Sequence, residues 1–172
     1  MQGRQALLRQ VAVVAALALT ATPAPAESGS LPPVEVFGPT VCLACIDWAE
    51  HLRENGFAAS FKGIDDMAAV KRRLKVPTEV QSVLTAVVGG YFIEGHVPAD
   101  DIKLLLKERP KARGLAVPGQ PRGAPGFEKS APFCERGCTI LDTAGTEEVA
   151  RRELYDTLLI GIDGKTSIWA RH

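Results

Sequence analysis

The chain has 172 residues, 46% of them hydrophobic and 23% charged, with 20 Lys and Arg against 20 Asp and Glu. That length suits one ordinary domain, and the absence of net charge excludes a strongly basic nucleic-acid binder with a clustered positive face. Sixteen Gly and twelve Pro are too scattered for a collagen-like or wholly disordered chain.

Arg4 and Arg9 precede an apolar run from Val11 to Leu19, and Ala24 and Ala26 follow in an A-x-A arrangement. A positive start, a short apolar stretch and small residues at a cleavage site describe a secretory signal peptide over 1–26. The run is too short for a span, which needs about 20 apolar residues. The mature protein is therefore expected to be exported, with no membrane span after cleavage. Export makes a close thiol pair a disulfide, a catalytic redox couple or a metal site.

Val34 to Phe37 alternates and is β-rich, which predicts a first strand ended by Gly38-Pro39. A helix follows Cys42 and Cys45, with Ile46, Ala49 and Leu52 at helical spacing and Asn55-Gly56 as its stop. Ala58 to Lys62 reads as a second strand. Asp65-Asp66 then caps a helix that buries Met67, Val70 and Leu74, with Lys71-Arg72-Arg73 on its solvated side. Thr85 to Val88 and Tyr91 to Glu94, separated by Gly89-Gly90, form a tight hairpin, because its turn needs positive φ.

Pro98 suits the first turn of a third helix carrying Ile102, Leu105 and Leu106. Lys107 to Arg113 reads as an exposed exit loop, and Gly114 to Gly126 as a long Gly/Pro-rich connection. A short helix is expected around Thr146–Glu153. Leu154 to Ile162 and Thr166 to Trp169, joined by Asp163-Gly164, give a strand and its hairpin return. The order is β-α-β-α-β-β-α with a C-terminal strand and hairpin extension. That is an α/β protein on the thioredoxin-like plan, a mixed sheet with a parallel half joined to an antiparallel hairpin.

Cys42-Leu43-Ala44-Cys45 falls at the junction of the first strand and first helix. Unpaired N–H groups and the positive end of the helix dipole favour thiolate there. Thiolate is both the nucleophile of disulfide exchange and a ligand for soft ions such as Cu(I). A permanent disulfide pinning the turn is the plainer alternative. Cys134 and Cys138 lie in a polar, loop-like stretch and suit a disulfide stapling a loop. Four cysteines allow three pairings, and a four-thiolate zinc site is compatible with the spacing. His51 falls in the first helix with a solvent-facing reading, and His172 is the last residue. His96, between a strand and a helix, either bonds locally or reaches the cysteines as a ligand.

Several segments together resemble the CopG-like periplasmic metal-binding proteins, a copper-associated thioredoxin-fold family formerly catalogued as a domain of unknown function. They are Cys42 to Leu52, Asn55-Gly56-Phe57, Val76-Pro77, Thr85 to Tyr91, Ile93 to Ile102 and Gly114 to Gly119. The resemblance implies a domain over 27–127, followed by an extension over 128–172 that holds the second cysteine pair and the closing strands. It also implies copper as the bound metal, Cys42 and Cys45 as metal-binding or redox-active thiols, and His96 as a further ligand. The implied partners are the metal ion and a periplasmic copper or redox protein, with no nucleic acid.

The family pattern has a cysteine where this chain has Ala44, and Cys-His where it has Val83-Leu84. An exported protein that binds or redox-processes copper is thus the leading expectation. A periplasmic thiol–disulfide oxidoreductase and a disulfide-stapled binding module without redox activity stand beside it, and enzymatic activity is left open.

Overall fold

The computed structural model describes residues 30–126 and 153–172, and the backbone of 139–141 and 147–149. The expected signal peptide over 1–26 and both Cys134 and Cys138 lie outside the described residues. The chain runs β1 (Val34–Gly38), α1 (Leu43–Glu54), β2 (Ala59–Gly63), α2 (Met67–Leu74), β3 (Thr85–Val88), β4 (Tyr91–Glu94), α3 (Ala99–Glu108), β5 (Ala112–Ala116), β6 (Thr139–Leu141), β7 (Glu147–Val149), β8 (Asp156–Gly161) and β9 (Thr166–Arg171). A seven-stranded sheet has the order β2-β1-β3-β4-β5-β8-β9, and β6 pairs with β7 apart from it. β1 is parallel to β2 and antiparallel to β3, and β4 is parallel to β5. The fold is therefore mixed α/β, and the expected order of the first seven elements is present.

Several local expectations are corrected. Ala112 to Ala116, read as exit loop and connection, form β5, which inserts between β4 and β8. The stretch read as a short helix near Thr146 contains the strand β7. Ile46 is exposed, and the buried stripe of α1 is Cys45, Trp48, Ala49 and Leu52.

Strand periodicity assigns the two faces of the sheet. Val34, Val36, Ala86, Val88, Ile93 and Leu115 pack with the buried stripes of α1 and α3. The residues between them, Phe92 and Ala116, join Ile160, Val76 and Val80 in a second apolar cluster on the opposite face. β8 and β9 continue the main sheet. Asp101 of α3 holds β8 and the chain's last residue together. It accepts from Thr157 Oγ1 at 2.6 Å and lies 2.9 Å from His172 Nε2. The His172 ring stacks on Tyr155, with centroids 4.9 Å apart.

Lys71, expected on a solvated face, is buried under β3 and β4 and forms an ion pair with the fully buried Glu94. Thr85 Oγ1 donates to Glu94 Oε2 at 2.6 Å, and Ser82 N–H donates to Oε1 at 2.6 Å. Burial pushes the Glu94 carboxyl above its ordinary range, against the pull of Lys71 and the donors. Removing one partner of such a pair strands the other, at about 3–5 kcal/mol, whereas replacing both with apolar or neutral groups is often neutral. Urea unfolding should therefore show Lys71→Met destabilised by about 3–5 kcal/mol, and Lys71→Met/Glu94→Gln recovering at least half of that loss.

Candidate functional site

β1 ends at Gly38 inside the sheet, and the chain turns through Pro39-Thr40-Val41 into α1, with Cys42 as the N-cap. Cys42 Sγ accepts from Cys45 N–H at 3.2 Å, taking the place a Ser or Asp oxygen fills in other helices. Cys42 and Cys45 form a disulfide, with Cα atoms 5.3 Å apart. The two sulfur positions differ. Cys45 is 0% exposed and Cys42 8% exposed. A Cβ at Gly38 would lie 2.6 Å from Cys45 Sγ, so glycine is what lets the strand end pass beneath that sulfur. Leu84 and Val97 belong to the same apolar cluster as the two cysteines, with Phe61 and Val83 packed against it.

His96 is fully buried. Burial pushes its pKa down to about 4, against the Ala44 backbone, which acts on the ring as a hydrogen-bond acceptor. The imidazole is thus neutral at ordinary pH and lies against the middle of the Cys-x-x-Cys turn. Two further contacts extend this seam. Trp48 Nε1 donates to the Val97 carbonyl at 2.9 Å, and Ala99 N–H donates to His51 Nε2 at 3.2 Å. Ala44, Trp48 and His51 share one helix face, at i, i+4 and i+7. The strand-to-helix link 96–99 therefore lies in register along α1. His51, read as solvent-facing, instead satisfies an N–H of the first turn of α3. Gly95, at φ +75°, makes the bend into this link, because a Cβ there would meet the Val117 carbonyl at 2.2 Å.

Of the sequence-expected residues, Cys42 and Cys45 are bonded to each other, and the His96 ring lies against the backbone of Ala44 between them. The apolar wall supplied by Leu84 has no ligand character, and among the described residues no group of three or more His, Cys, Asp or Glu is placed to hold a metal ion. The site as folded is an oxidised sulfur pair beside a neutral imidazole. Reduction would give two soft donors at a helix N-terminus, a set that suits one Cu(I). The Trp48 and His51 seam was missed in the sequence, although two polar-tipped side chains at i and i+3 on one helix face were there to read. No helix among the described residues is long and apolar enough to cross a membrane.

His96 also makes stability depend on pH. Its folded pKa near 4 lies below the ordinary 6.5, so below pH 6.5 the unfolded chain takes up a proton that the folded chain refuses. Stability present above pH 6.5 should fall progressively down to pH 4, by about 3 kcal/mol in all. Urea midpoints of the oxidised protein measured between pH 7.5 and 4 should show this loss, and His96→Leu should remove that part of the slope.

A family described as a protein of unknown function, DUF411, matches residues 80–127. That range covers the hairpin, the 96–99 link, α3 and β5. A comparison with curated proteins gives no significant match. Two solved structures do match: "Copper resistance protein copG- Form 1", with 36% identity and a TM-score of 0.66, and "Copper resistance protein copG- Form 2", with 36% identity and a TM-score of 0.67. Each match covers 83% of this chain and 98% of the other. Likeness of this extent in both sequence and backbone shows that the chain belongs to the CopG copper resistance protein family.

Proposed function

We propose that this protein handles copper outside the cytoplasm, holding a single Cu(I) as cargo between the reduced sulfurs of Cys42 and Cys45. The observation that carries the reading is the placement of both sulfurs at the N-terminus of α1, with Cys45 0% exposed and Cys42 8%. The copper resistance proteins that share its backbone support the choice of metal, and the leader over 1–26 supports export to the periplasm. In this reading 27–127 is the copper-handling domain and 128–172 the extension.

Each residue has a task that follows from its surroundings. Cys42 Sγ faces the Cys45 N–H, so the thiolate left by reduction keeps a hydrogen-bond donor and the positive end of the helix dipole. Cys45 closes the site from below, shielded by the strand end at Gly38. His96, neutral above pH 4, needs no proton removed before its ring nitrogen can act as a ligand or hold the turn in shape. Two thiolates suit one ion, not a cluster of several. Binding requires the disulfide to be opened first, a two-electron reduction that a partner thiol pair can supply.

The disulfide itself favours a second reading, a thiol–disulfide oxidoreductase acting through the same sulfurs. One experiment separates the two. Titrating the reduced protein with Cu(I) against a chromogenic chelator should show one equivalent bound per chain, no uptake by the oxidised form, and loss of uptake in Cys42→Ser. His96→Leu should weaken binding by about 10–100-fold, the usual cost of losing a ligand's support. Absence of Cu(I) uptake, together with a potential in the −120 to −270 mV span of exchange catalysts, would replace the copper reading with the redox one.

A further inference from the structure

A second recess lies at the other end of the sheet. β1 leads into the sulfur turn beyond Gly38, whereas its first residue, Val34, pairs with Val88 beside the Gly89-Gly90 turn. Next to that turn, the lead-in to β1, the β3–β4 hairpin and the last turns of α3 enclose a cleft of about 450 Å³. A Cβ at Gly89 would lie 2.6 Å from Leu106 Cδ2 and 3.8 Å from Pro32 Cγ, so the three elements meet at the hairpin turn. Leu31, Pro32, Tyr91 and Leu106 give the cleft its apolar part, and Tyr91 is held by donating to the Pro110 carbonyl at 3.0 Å. Three of the lining residues are cations: Lys103, Lys107 and Arg109. Lys103, Leu106 and Lys107 share one face of α3, at i, i+3 and i+4. Arg109, the C-cap at φ +48°, donates from Nε to the Leu106 carbonyl at 3.3 Å, which folds its stem toward that face. Asp100 offsets one of these charges, at 3.2 Å from Lys103 Nζ, and leaves Lys107 and Arg109 as the main positive groups.

We propose that this cleft binds a small amphipathic anion, a phosphate or carboxylate head on a compact apolar body. The ligand's chemistry follows from the two kinds of wall. The Lys107 ammonium is a compact charge and the Arg109 guanidinium a planar fork, a pair that matches the oxygens of such a head. Tyr91, Leu31 and Leu106 offer the body a surface that gains by losing water. A bare anion would leave that surface wet, and an uncharged apolar molecule would leave the cations unanswered. The volume falls within the span of small-molecule sites, about 300–1,000 Å³. A recess of that size, bounded by three elements, suits one free molecule better than a membrane plane. The sulfur pair lies at the opposite end of β1, so this site is separate from the proposed copper chemistry.

The test titrates the oxidised full chain with hexyl phosphate, inorganic phosphate and hexanol, read by calorimetry and by backbone amide shifts. Hexyl phosphate should bind at one per chain and shift the amides of Gly89, Tyr91, Leu106 and Lys107. It should bind at least about tenfold tighter than inorganic phosphate, the worth of burying about two methylene groups. Hexanol should give no measurable heat. Lys107→Gln/Arg109→Gln, two exposed positions, should weaken hexyl phosphate at least about fivefold with unchanged circular dichroism, and added salt should reduce binding to the parent chain more than to this variant. Inorganic phosphate bound as tightly as hexyl phosphate, an affinity untouched by the double substitution, or shifts mapped away from the cleft would overturn the proposal. So would binding to phosphatidylglycerol vesicles with none to hexyl phosphate, which would assign the cations to a membrane surface. Shifts seen only in Glu27→Gln would likewise overturn it and assign the cleft to the chain's own acidic residue three positions before Ser30.

Discussion

The site depends on one seam, the docking of the short link 96–99 along a single face of α1. Ala44, Trp48 and His51 meet His96, Val97 and Ala99 in turn, so the helix that carries the sulfurs and the link that carries the imidazole are placed by the same contacts. The middle contact is a buried indole-to-carbonyl hydrogen bond, and the last satisfies an N–H that would otherwise be stranded at the start of α3. A buried donor left without a partner costs more than its bond contributes, so the register is held against slippage by what misalignment would leave unpaired.

Polar groups inside the molecule follow the same logic on the other side of the sheet. Glu94, the residue just before the bend at Gly95, faces away from the helix seam and is held by Lys71, Thr85 and Ser82. Its neighbours Ile93 and His96 belong to the α1 side. The end of β4 is thus anchored from both faces, by an ionic cluster on one and an apolar seam on the other. The bend between them needs glycine, because Val117 leaves no room for a side chain. An imidazole held this way loses little freedom on meeting a ligand, which is the advantage of a preorganised site.

Much of this was legible from residue order. The hairpin announced itself through Gly89-Gly90, the caps through Asp66 and Asn55, and the placement of Cys42-Cys45 through the apolar alternation of Val34 to Phe37. The losses share a cause: each depended on a contact far along the chain. Lys71 reads as one of three adjacent cations, and only the stacking of α2 over β3 and β4 shows that it meets Glu94. Ala112 to Ala116 read as loop because charge and glycine outweighed the strand signal, yet Gly114 suits the strand because Phe92 of β4 comes so close that a Cβ would lie 1.9 Å from its carbonyl oxygen. Ile46 fits a helical stripe by spacing, but the α1 face is rotated by the demand that Cys45 and Trp48 go inward.

One small clamp ties two distant positions of the chain together. Arg122 donates from its backbone N–H and from Nε to the carboxylate of Glu153, at 3.1 Å each, and Glu153 N–H donates to the Arg122 carbonyl at 2.9 Å. The two residues are 31 positions apart in sequence yet share a doubly tied junction. Whatever the chain does between them, the strands on either side receive it at a fixed separation. Such a junction sets Arg122 beside the approach to β8, so that β8 meets β5 with its start already placed.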